Sequence, residues 1–347
     1  MIKVAIDTSP LSGLSSSRGI GKYTARLIKA LESQKEIEVK KIQRGEIPKE
    51  VDLVHYPYFD FFFFTLPLIK SENTLVTIHD CTPLVFPENY PVGFKGKINF
   101  FLQKMSLKSV KAVLTDSENS KKDIIKYLAV PPEEIYVIYL AADPIYQKLN
   151  TNDLKQKTKL KYNLPEKFLL YVGDVNYNKN LLGLIKAFNL VKEGELNLVL
   201  VGRAFENREL SEVKILFSSI KDLNLGRKVR FLGFVPDEDL VSVYNLASVY
   251  CQPSFYEGFG LQILEAMACG CPVVTSNISS LPEIAGDAAV LVNPNSVAEI
   301  ARGIKKLLEE KNFRDEKIQA GFSQAKKFSW DKAAEETIKV YEKLLEE

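Results

Sequence analysis

Short apolar strands alternate with amphipathic helices along most of this chain, and this alternation limits its fold more than any other feature. Alternating strands and helices predict a parallel sheet with helices on both faces. In the first half the predicted helices are Tyr23–Ser33, Lys97–Ser109 and Ser120–Tyr127. The predicted strands there are Met1–Asp7, Glu38–Ile42, Val51–Tyr56, Thr74–Ile78, Ala112–Thr115 and Ile135–Ile138. This order is typical of a doubly wound α/β domain.

The same pattern starts again after Asp143–Leu164, a polar segment rich in Lys and Asn that we interpret as a linker. The predicted strands of the second half are Phe168–Val172, Leu196–Val201, Val229–Leu232, Ser248–Gln252, Val273–Ser276 and Val290–Val292. A chain of 347 residues is long enough for two such domains. We therefore expect an α/β protein with two doubly wound parallel-sheet domains, residues 1–150 and 151–328, that face a central cleft.

Composition and charge argue against several classes of protein. The 46% hydrophobic and 26% charged residues are an ordinary balance for a soluble globular protein, and a net charge of +2 gives no support to nucleic-acid binding. The N-terminus does not resemble a secretory leader, and no apolar run is long enough to span a membrane. Four Cys without framework spacing and only two His argue against a disulfide framework and a zinc site. We expect a cytoplasmic enzyme.

The stretch Pro253–Pro272 carries the strongest functional signal. Turn-forming residues precede Glu257, Gly258 and Gly260, and an apolar-periodic run of about three helical turns follows. A helix N-terminus approached by glycines offers free N–H groups and the positive end of the helix dipole, which together bind anions. Glu257 and Glu265 flank this site, as expected if the ligand carries hydroxyl groups on both sides of a phosphate. The alternative is that Glu257 caps the helix and Glu265 is solvated.

Other polar residues also follow predicted strands, where the functional groups of parallel sheets lie. In the second half these are Lys179, the pair Gly202–Arg203 and the segment Gly233–Pro236. In the first half they are His55 and the adjacent pair His79–Asp80. A lysine, helix N–H groups and carboxylates together suit a bound diphosphate, with about 1.5–3 kcal/mol from each charge-assisted hydrogen bond. A histidine at a strand end is also common as a structural residue.

The loop after the first strand contains glycines at positions 13, 19 and 21. They do not form the G-x-G-x-x-G fingerprint that an NAD-dependent dehydrogenase needs after its first strand. We interpret them as part of a flexible loop that faces the cleft.

Four consecutive phenylalanines lie in the run Tyr56–Leu68. They cannot all face inward on a strand, because alternate side chains point to opposite faces. One interpretation is a buried segment that packs on the core. The other is an exposed apolar patch for a lipid-bearing acceptor or a membrane surface, with the lysines between positions 95 and 126 as its electrostatic part. A solvated helix face also accounts for these lysines.

Several of these segments resemble the retaining glycosyltransferases of family four. In the second half the similarity is carried by P-S-F-Y-E-G-F-G-L-Q-I-L-E-A-M-A-C-G-C-P-V-V-T-S-N and by Y-V-G-D-V-N-Y-N-K-N-L-L-G-L-I-K-A-F. In the first half I-D-T-S-P-L-S-G, R-G-I-G-K-Y-T and H-D-C-T-P-L-V-F-P are similar to mannosyltransferase-type members. The resemblance spans nearly the whole chain and implies the GT-B fold. In that fold the C-terminal helix, here within residues 329–347, crosses back onto the first domain.

The resemblance implies donor-binding roles in the second domain. Glu257 would bind hydroxyls of the donor sugar, Glu265 would bind the nucleotide ribose, and Phe234 with Val235 would flank the base. The diphosphate would contact the backbone of the loop and helix start at Gly258, Phe259, Gly260 and Leu261. Lys179 would neutralise its charge. Many relatives place an arginine near the position of Lys179, where this chain has Asp174 and Asn178. Arg203 is the candidate for that second phosphate cation.

In the first domain the resemblance places His79 and Asp80 in the catalytic cleft, with His79 touching the transferred sugar. Gly19, Ile20 and Gly21 would form a loop near the diphosphate and the acceptor. No metal and no cofactor are expected, because Lys179 and the helix amides can neutralise the leaving diphosphate.

The implied reaction is transfer of a sugar from a nucleoside-diphosphate sugar to a hydroxyl of a glycan or lipid-linked acceptor, with retention of anomeric configuration. GDP-mannose is the first candidate donor. UDP-glucose, UDP-N-acetylglucosamine and dTDP-rhamnose are alternative donors. A sugar-nucleotide 2-epimerase is an alternative enzyme of similar fold, and a two-domain sugar-binding protein is a non-enzymatic alternative. Peripheral contact with the inner face of a membrane is a further expectation.

Overall fold

The computed structural model describes residues 1–12, 19–46, 48–192 and 194–346, and it divides the chain into two compact units. The first unit combines Met1–Leu140 with Phe328–Glu347, and the second unit is Ala141–Lys327. Within the described residues each unit contains one six-stranded parallel sheet, as the alternating pattern predicted. Across the same residues, no helix has the length and apolar composition that a bilayer crossing requires.

The sheet of the first unit has the strand order β2-β1-β3-β4-β5-β6. Its strands are β1 Ile2–Asp7, β2 Ile37–Ile42, β3 Leu53–Tyr56, β4 Thr74–Thr77, β5 Ala112–Thr115 and β6 Ile135–Val137. The central strands β3, β4 and β5 are buried at every residue, as expected for parallel strands covered on both faces. The first four helices are α1 Gly19–Glu32, α2 Thr82–Val85, α3 Phe94–Leu107 and α4 Glu118–Leu128.

The sheet of the second unit has the strand order β12-β11-β10-β7-β8-β9. Its strands are β7 Phe168–Val172, β8 Asn197–Val201, β9 Val229–Gly233, β10 Val249–Gln252, β11 Val273–Ser276 and β12 Ala289–Val292. The helices are α5 Asn152–Lys161, α6 Leu181–Val191, α7 Ser211–Asp222, α8 Asp237–Leu246, α9 Leu261–Ala268, α10 Leu281–Ala285, α11 Val297–Glu309 and α12 Lys311–Ala325. The strand order reverses between β7 and β10, and between β1 and β3 in the first unit. Ligands of doubly wound sheets bind at such reversals.

The last helix, α13 Trp330–Glu346, belongs to the first unit and packs against α1. The sequence places apolar residues of this helix at positions 334, 338, 341 and 345, which predicts an amphipathic helix. The first three are buried, whereas Leu345 is 37% exposed, and the ring centroids of Trp330 and Tyr23 are 6.2 Å apart. The predicted crossing of the C-terminal helix onto the first domain is confirmed.

His55, at the end of β3, joins α13 to the sheet. Its Nδ1 is 2.8 Å from the Tyr341 hydroxyl, and its Nε2 is 2.8 Å from Thr77 Oγ1. Tyr23 of α1 reaches the same Thr77 hydroxyl at 3.1 Å. Burial, with a smaller effect from His79, lowers the pKa of His55 to about 3, so that its imidazole is neutral in the folded protein. His55 was either a functional residue at a strand end or a structural one, and these buried contacts support the structural interpretation.

The lowered pKa of His55 predicts a loss of stability in mild acid. The unfolded histidine titrates near 6.5, so below that pH the unfolded state binds a proton that the folded state does not. His79 has a raised pKa, but below about pH 6 it is protonated in both states and adds little. We expect the free energy of unfolding of the first unit to fall by about 1 kcal/mol from pH 6 to pH 5, measured by urea denaturation. In the control His55→Gln this slope should vanish, and an unchanged slope would contradict the assignment.

The expected linker and the domain boundary at 150/151 differ from the structure. The units divide between residues 140 and 141, and the linker segment contains α5. Tyr146 donates to Asp237 Oδ1 at 2.8 Å, and the backbone of Leu149 donates to Asn245 Oδ1 at 2.9 Å, so this segment is held to α8. Helix α5 is nearly all polar, which is why apolar periodicity did not indicate it.

Two further predictions were wrong in detail. Gly19, Ile20 and Gly21 form the first turn of α1 rather than a loop, and Gly21 is buried. Helix α9 spans eight residues, about two turns, rather than three. The part of the glycine loop that includes Gly13 lies outside the described residues.

The aromatic run Tyr56–Leu68 is neither fully buried nor fully exposed, so each of the two interpretations holds for part of it. Phe59 and Phe61 are buried in the core of the first unit, whereas Phe63 is 70% exposed and Phe64 is 42% exposed. The run therefore contributes both to the core and to the surface.

Candidate active site

Lys179 and Glu257 meet at the strand-order reversal of the second sheet. Lys179 follows β7, and Glu257 lies in the loop after the neighbouring strand β10. Lys179 Nζ donates to Glu257 Oε2 at 2.6 Å, and the two side chains are only 18% and 8% exposed. The sequence suggested no cation partner for Glu257 because the two residues are 78 positions apart. The structure thus joins two of the predicted donor-binding residues directly.

The carboxylate of Glu257 is held by further donors. Gln252 Nε2 and Ser254 Oγ each donate to Glu257 Oε1 at 2.7 Å. The hydroxyl of Ser279 donates to the Glu257 carbonyl at 2.7 Å. The N-cap of α9 is Gly260, and no side chain caps that helix. The alternative that Glu257 is a helix cap is therefore wrong, and the residue is instead fixed beside Lys179.

Two asparagines attach the turn that ends at Lys179 to the loop after β10. Asn178 Nδ2 donates to the Tyr256 carbonyl at 2.8 Å, and Asn180 Nδ2 donates to the Pro253 carbonyl at 2.9 Å. Asn180 has a left-handed backbone with φ of 53° and also caps α6. These two roles were not predicted from the sequence. The available signal was an N-cap residue type directly before the apolar run of α6.

The backbone before α9 turns sharply at Gly260, whose φ is 97°. A Cβ at this position would lie 2.8 Å from Leu281 Cδ2, so a larger residue would be both strained and crowded. Gly258 and Phe259 are buried, and the Phe259 carbonyl accepts from Ser280 Oγ at 3.0 Å. Leu261, the first helical residue, is partly buried. The predicted glycine loop followed by a helix start is therefore present. It is the same loop that carries Glu257, the residue in contact with Lys179.

Glu265 is buried inside α9, with only 5% of its surface exposed. Its Oε2 accepts from the Tyr244 hydroxyl at 2.9 Å. Burial, and next the charge of Glu265, raises the pKa of Tyr244 well above its usual value, so the phenol stays a donor. The alternative that Glu265 is solvated is wrong.

Arg203 and Phe234 also come together. The Arg203 guanidinium lies 4.7 Å from the centroid of the Phe234 ring, and the Phe234 backbone donates to Glu206 Oε1 at 2.7 Å. The Phe234 ring is 45% exposed, whereas Val235 is buried. The residue before Arg203 is Gly202, where a Cβ would lie 2.1 Å from the Gly173 carbonyl oxygen, so a larger residue does not fit there. The structure thus gives Arg203 an aromatic partner on an exposed surface.

In the first unit, His79 follows β4 and pairs with Asp116, which follows the neighbouring strand β5. His79 Nδ1 is 2.8 Å from Asp116 Oδ2, and His79 Nε2 is 3.2 Å from the Pro57 carbonyl. Burial lowers the pKa of His79, but the charge and hydrogen bond of Asp116, followed by the charge of Asp80, outweigh burial and raise it overall. Two oxygen acceptors facing the two ring nitrogens suit an imidazolium. Asp116 was not predicted from the sequence, although a carboxylate directly after a central strand is a signal for such a residue.

Asp80 has a local structural contact: its Oδ1 accepts from the Thr82 backbone at 2.7 Å, at the start of α2. Gly19, Ile20 and Gly21 lie at the N-terminus of α1, in the same unit as His79. Among the described residues, no hydrogen bond joins these three residues to His79 or Asp80. Among the described residues, no group of three or more His, Cys, Asp or Glu is placed to hold a metal ion.

Comparison with known proteins identifies the family of this chain. The family described as "Glycosyl transferases group 1" matches residues 152–324, and "Glycosyltransferase Family 4" matches residues 37–145. O-antigen chain mannosyltransferase B of Escherichia coli is 30% identical over 99% of this chain and 100% of its own length. The chain belongs to glycosyltransferase family four. As a member of that family it is a glycosyltransferase enzyme.

Other relatives of this family-four chain are similar over shorter regions. O-antigen chain mannosyltransferase RfbU of Salmonella typhimurium is 32% identical, and the match covers 70% of this chain and 62% of that protein. The serotype-specific mannosyltransferase WbdA of Escherichia coli is 30% identical over 80% of this chain, which spans only 35% of that relative.

Solved structures establish the fold of the family-four chain. Sucrose-phosphate synthase from Thermosynechococcus elongatus has a TM-score of 0.77 at 19% identity, and the match covers 99% of each chain. Anabaena HepE in complex with UDP and glucose has a TM-score of 0.74 at 17% identity, over 99% of this chain and all of HepE. The lipopolysaccharide glycosyltransferase WaaG has a TM-score of 0.72 at 13% identity, over 98% of this chain and 99% of WaaG. The expected GT-B fold is confirmed.

Proposed function

We propose that the chain is a retaining glycosyltransferase that transfers mannose from GDP-mannose to a hydroxyl group of a glycan or lipid-linked acceptor. The observation that carries the proposal is the buried contact of Lys179 with Glu257 at the strand-order reversal, beside the glycine loop that leads into α9. Two relatives named O-antigen chain mannosyltransferases support mannose as the sugar and a glycan as the acceptor.

The donor diphosphate would bind to Lys179 and to the backbone N–H groups at the start of α9, with Gly258–Leu261 around it. Glu257 already balances the charge of Lys179 in the structure. A diphosphate would therefore draw Lys179 Nζ from the carboxylate, which leaves Glu257 Oε2 as an acceptor for sugar hydroxyls. Arg203, whose guanidinium lies on the exposed face of Phe234, is the second cation in this proposal.

The remaining donor contacts follow the same proposal. Glu265 would accept from the ribose, next to the Tyr244 hydroxyl that already binds its carboxylate. The ring of Phe234 would lie against the base, and Val235 would contribute its backbone because its side chain is buried. In the first unit, His79 would touch the transferred sugar, with Nε2 exchanging its contact with the Pro57 carbonyl for a sugar oxygen, and Asp80 with Gly19–Gly21 would lie toward the acceptor.

In the proposed reaction the acceptor oxygen bonds to the anomeric carbon while the bond from that carbon to the diphosphate oxygen breaks. The bonding pair leaves with the nucleoside diphosphate, and the proton of the acceptor hydroxyl passes to the departing phosphate oxygen on the same face of the sugar. Stabilising the departing charge is the main electrostatic task, and Lys179 and the helix N–H groups would perform it. We propose that this step needs no metal, so EDTA should leave turnover unchanged. The expected cytoplasmic location stays a prediction.

A panel of nucleotide sugars tests the donor assignment. We expect GDP-mannose to raise the melting temperature, because a ligand at about 100 times its Kd adds about 2.7 kcal/mol of stability. GDP should be released when a mannan-type acceptor is added. Lys179→Met should weaken both effects, whereas Lys214→Met, which removes an exposed lysine of the same unit, should not. A stronger response to a UDP or dTDP sugar would change the donor, and no response to any nucleotide sugar would contradict the proposal. An epimerised sugar formed without acceptor would indicate the 2-epimerase.

A further inference from the structure

Helix α3 of the first unit exposes its apolar side chains to solvent. Phe94, Ile98, Phe101 and Met105 are 79%, 44%, 64% and 50% exposed. Their spacing of four, three and four residues places them on one face of the helix, which we call the apolar stripe. An amphipathic helix of a globular protein usually turns such a stripe toward the core. The apolar stripe is therefore unpartnered in the described chain.

The opposite side of α3 contacts the protein, with Phe100 and Leu107 packed on the core and polar side chains that make specific hydrogen bonds. Asn99 Nδ2 donates to the Phe62 carbonyl at 2.9 Å, and Gln103 Nε2 donates to the Leu66 carbonyl at 3.0 Å. Gln103 is fully buried, and its Oε1 also accepts from the Leu66 backbone at 3.0 Å. These hydrogen bonds fix the rotation of α3 about its own axis. The exposure of the apolar stripe is thus imposed by specific contacts of the buried face.

The segment beside α3 adds further exposed apolar side chains. It runs along the helix, since Phe62 is bonded near the start of α3 and Lys70 Nζ is bonded to Ser106 Oγ at 2.9 Å near its end. The exposed side chains of this segment are Phe63, Phe64, Leu68 and Ile69, which are 70%, 42%, 47% and 79% exposed. The hydrogen bonds hold this segment against the face of α3 opposite the apolar stripe, and the stripe by itself is exposed apolar surface of the kind that marks an interaction site.

Every charged residue of α3 and of the four residues that follow it is a lysine. Residues 94–111 contain no Asp or Glu and five lysines, namely Lys95, Lys97, Lys104, Lys108 and Lys111. On the helix, Lys97, Lys104 and Lys108 lie along one border of the apolar stripe, and Lys95 lies on the other side. Two copies of this surface would repel each other, whereas an anionic partner would be attracted.

We propose that the apolar stripe of α3, with its bordering lysines, docks the protein on an anionic lipid bilayer. Phenylalanine and other apolar side chains would enter the boundary between headgroups and acyl chains, and the lysines would contact anionic headgroups. A helix that lies in the plane of the interface needs one apolar face and cationic borders, which α3 has. The inference goes beyond the donor chemistry and does not depend on which nucleotide sugar binds.

Sedimentation with lipid vesicles tests the proposal without any donor or acceptor. The full chain should pellet with vesicles of equal parts phosphatidylglycerol and phosphatidylcholine, and it should stay in solution with phosphatidylcholine alone. Phe94→Ser combined with Phe101→Ser should lower the partition coefficient by about tenfold or more. Lys97→Gln combined with Lys108→Gln should lower it by about fivefold for each lysine. The melting temperatures should not change, because all four side chains are exposed.

The matched control is Leu160→Ser combined with Ile215→Ser in the second unit. Leu160 is 80% exposed and Ile215 is 53% exposed, close to the values for the two phenylalanines. This control should bind vesicles like the unmodified protein. Failure of the unmodified protein to pellet with anionic vesicles overturns the proposal, as does an equal loss in the control. Conversion of a dimer to a monomer by the phenylalanine variant, seen in analytical ultracentrifugation, would assign the surface to a second copy of the chain instead.

Discussion

Replacing Glu257 with glutamine is expected to lower kcat by about a thousandfold while the affinity for the nucleoside diphosphate changes little. In the proposed role, the carboxylate contacts the hydroxyls of the transferred sugar and not the nucleotide. Glutamine keeps the size of the side chain and one oxygen that accepts from Gln252 and Ser254. The measurements are kcat from release of GDP and the Kd of GDP from calorimetry.

Two comparison variants sharpen this test. Glu209→Gln removes another Lys–Glu pair of the same unit, but that glutamate side chain is 84% exposed, so no change in kcat or Kd is expected. Glu265→Gln should show the opposite pattern: the Kd of GDP should rise, and kcat should fall less than in Glu257→Gln. Equal and small effects of Glu257→Gln and Glu265→Gln would show that neither carboxylate contacts the donor.

Replacing Asp116 with asparagine is expected to lower kcat by about a hundredfold near pH 8 and to move the basic limb of the pH profile to lower pH. Burial alone lowers the pKa of His79, and the carboxylate of Asp116 makes the largest contribution to its net rise. Without that charge His79 loses its proton at lower pH. If the charged imidazole contacts the sugar, activity disappears as pH rises through the pKa of His79, and in the variant this occurs earlier.

A second substitution separates this positioning role from a purely structural one. In a His79→Gln background, Asp116→Asn should cause no further loss of kcat, because its effect acts through the imidazole. A purely structural aspartate would lower kcat by the same factor in both backgrounds and leave the pH profile in place. The melting temperature of each variant should be recorded beside the kinetics.

The strands were the part of the fold that the sequence predicted best. Residues Ala112–Thr115, Phe168–Val172 and Val273–Ser276 form strands with the predicted bounds. These are short apolar runs rich in β-branched or aromatic residues, and parallel strands buried on both faces have this composition. The polar helix α5 gave no such signal, because its sequence carries no apolar periodicity.

The candidate site was predicted as a set of residues rather than as a set of contacts. The stretch around Glu257 indicated a glycine loop before a helix, and the structure contains it. Contacts such as Lys179 to Glu257 and His79 to Asp116 join residues that are 78 and 37 positions apart, so only the strand order brings them together. The periodicity of α3 also could not tell which face of the helix is buried, because buried Gln103 supplies the hydrogen bonds that decide it.

The helix α13 has a consequence for the order in which the chain can fold during synthesis. The second unit is one uninterrupted stretch, Ala141–Lys327, and all of it leaves the ribosome before residues 328–347. The first unit is assembled from residues 1–140 and 328–347, so the buried imidazole of His55 has no Tyr341 partner until the second unit has been translated. The second unit can therefore complete its core first. Helix α1 of the first unit stays uncovered until α13 has been translated.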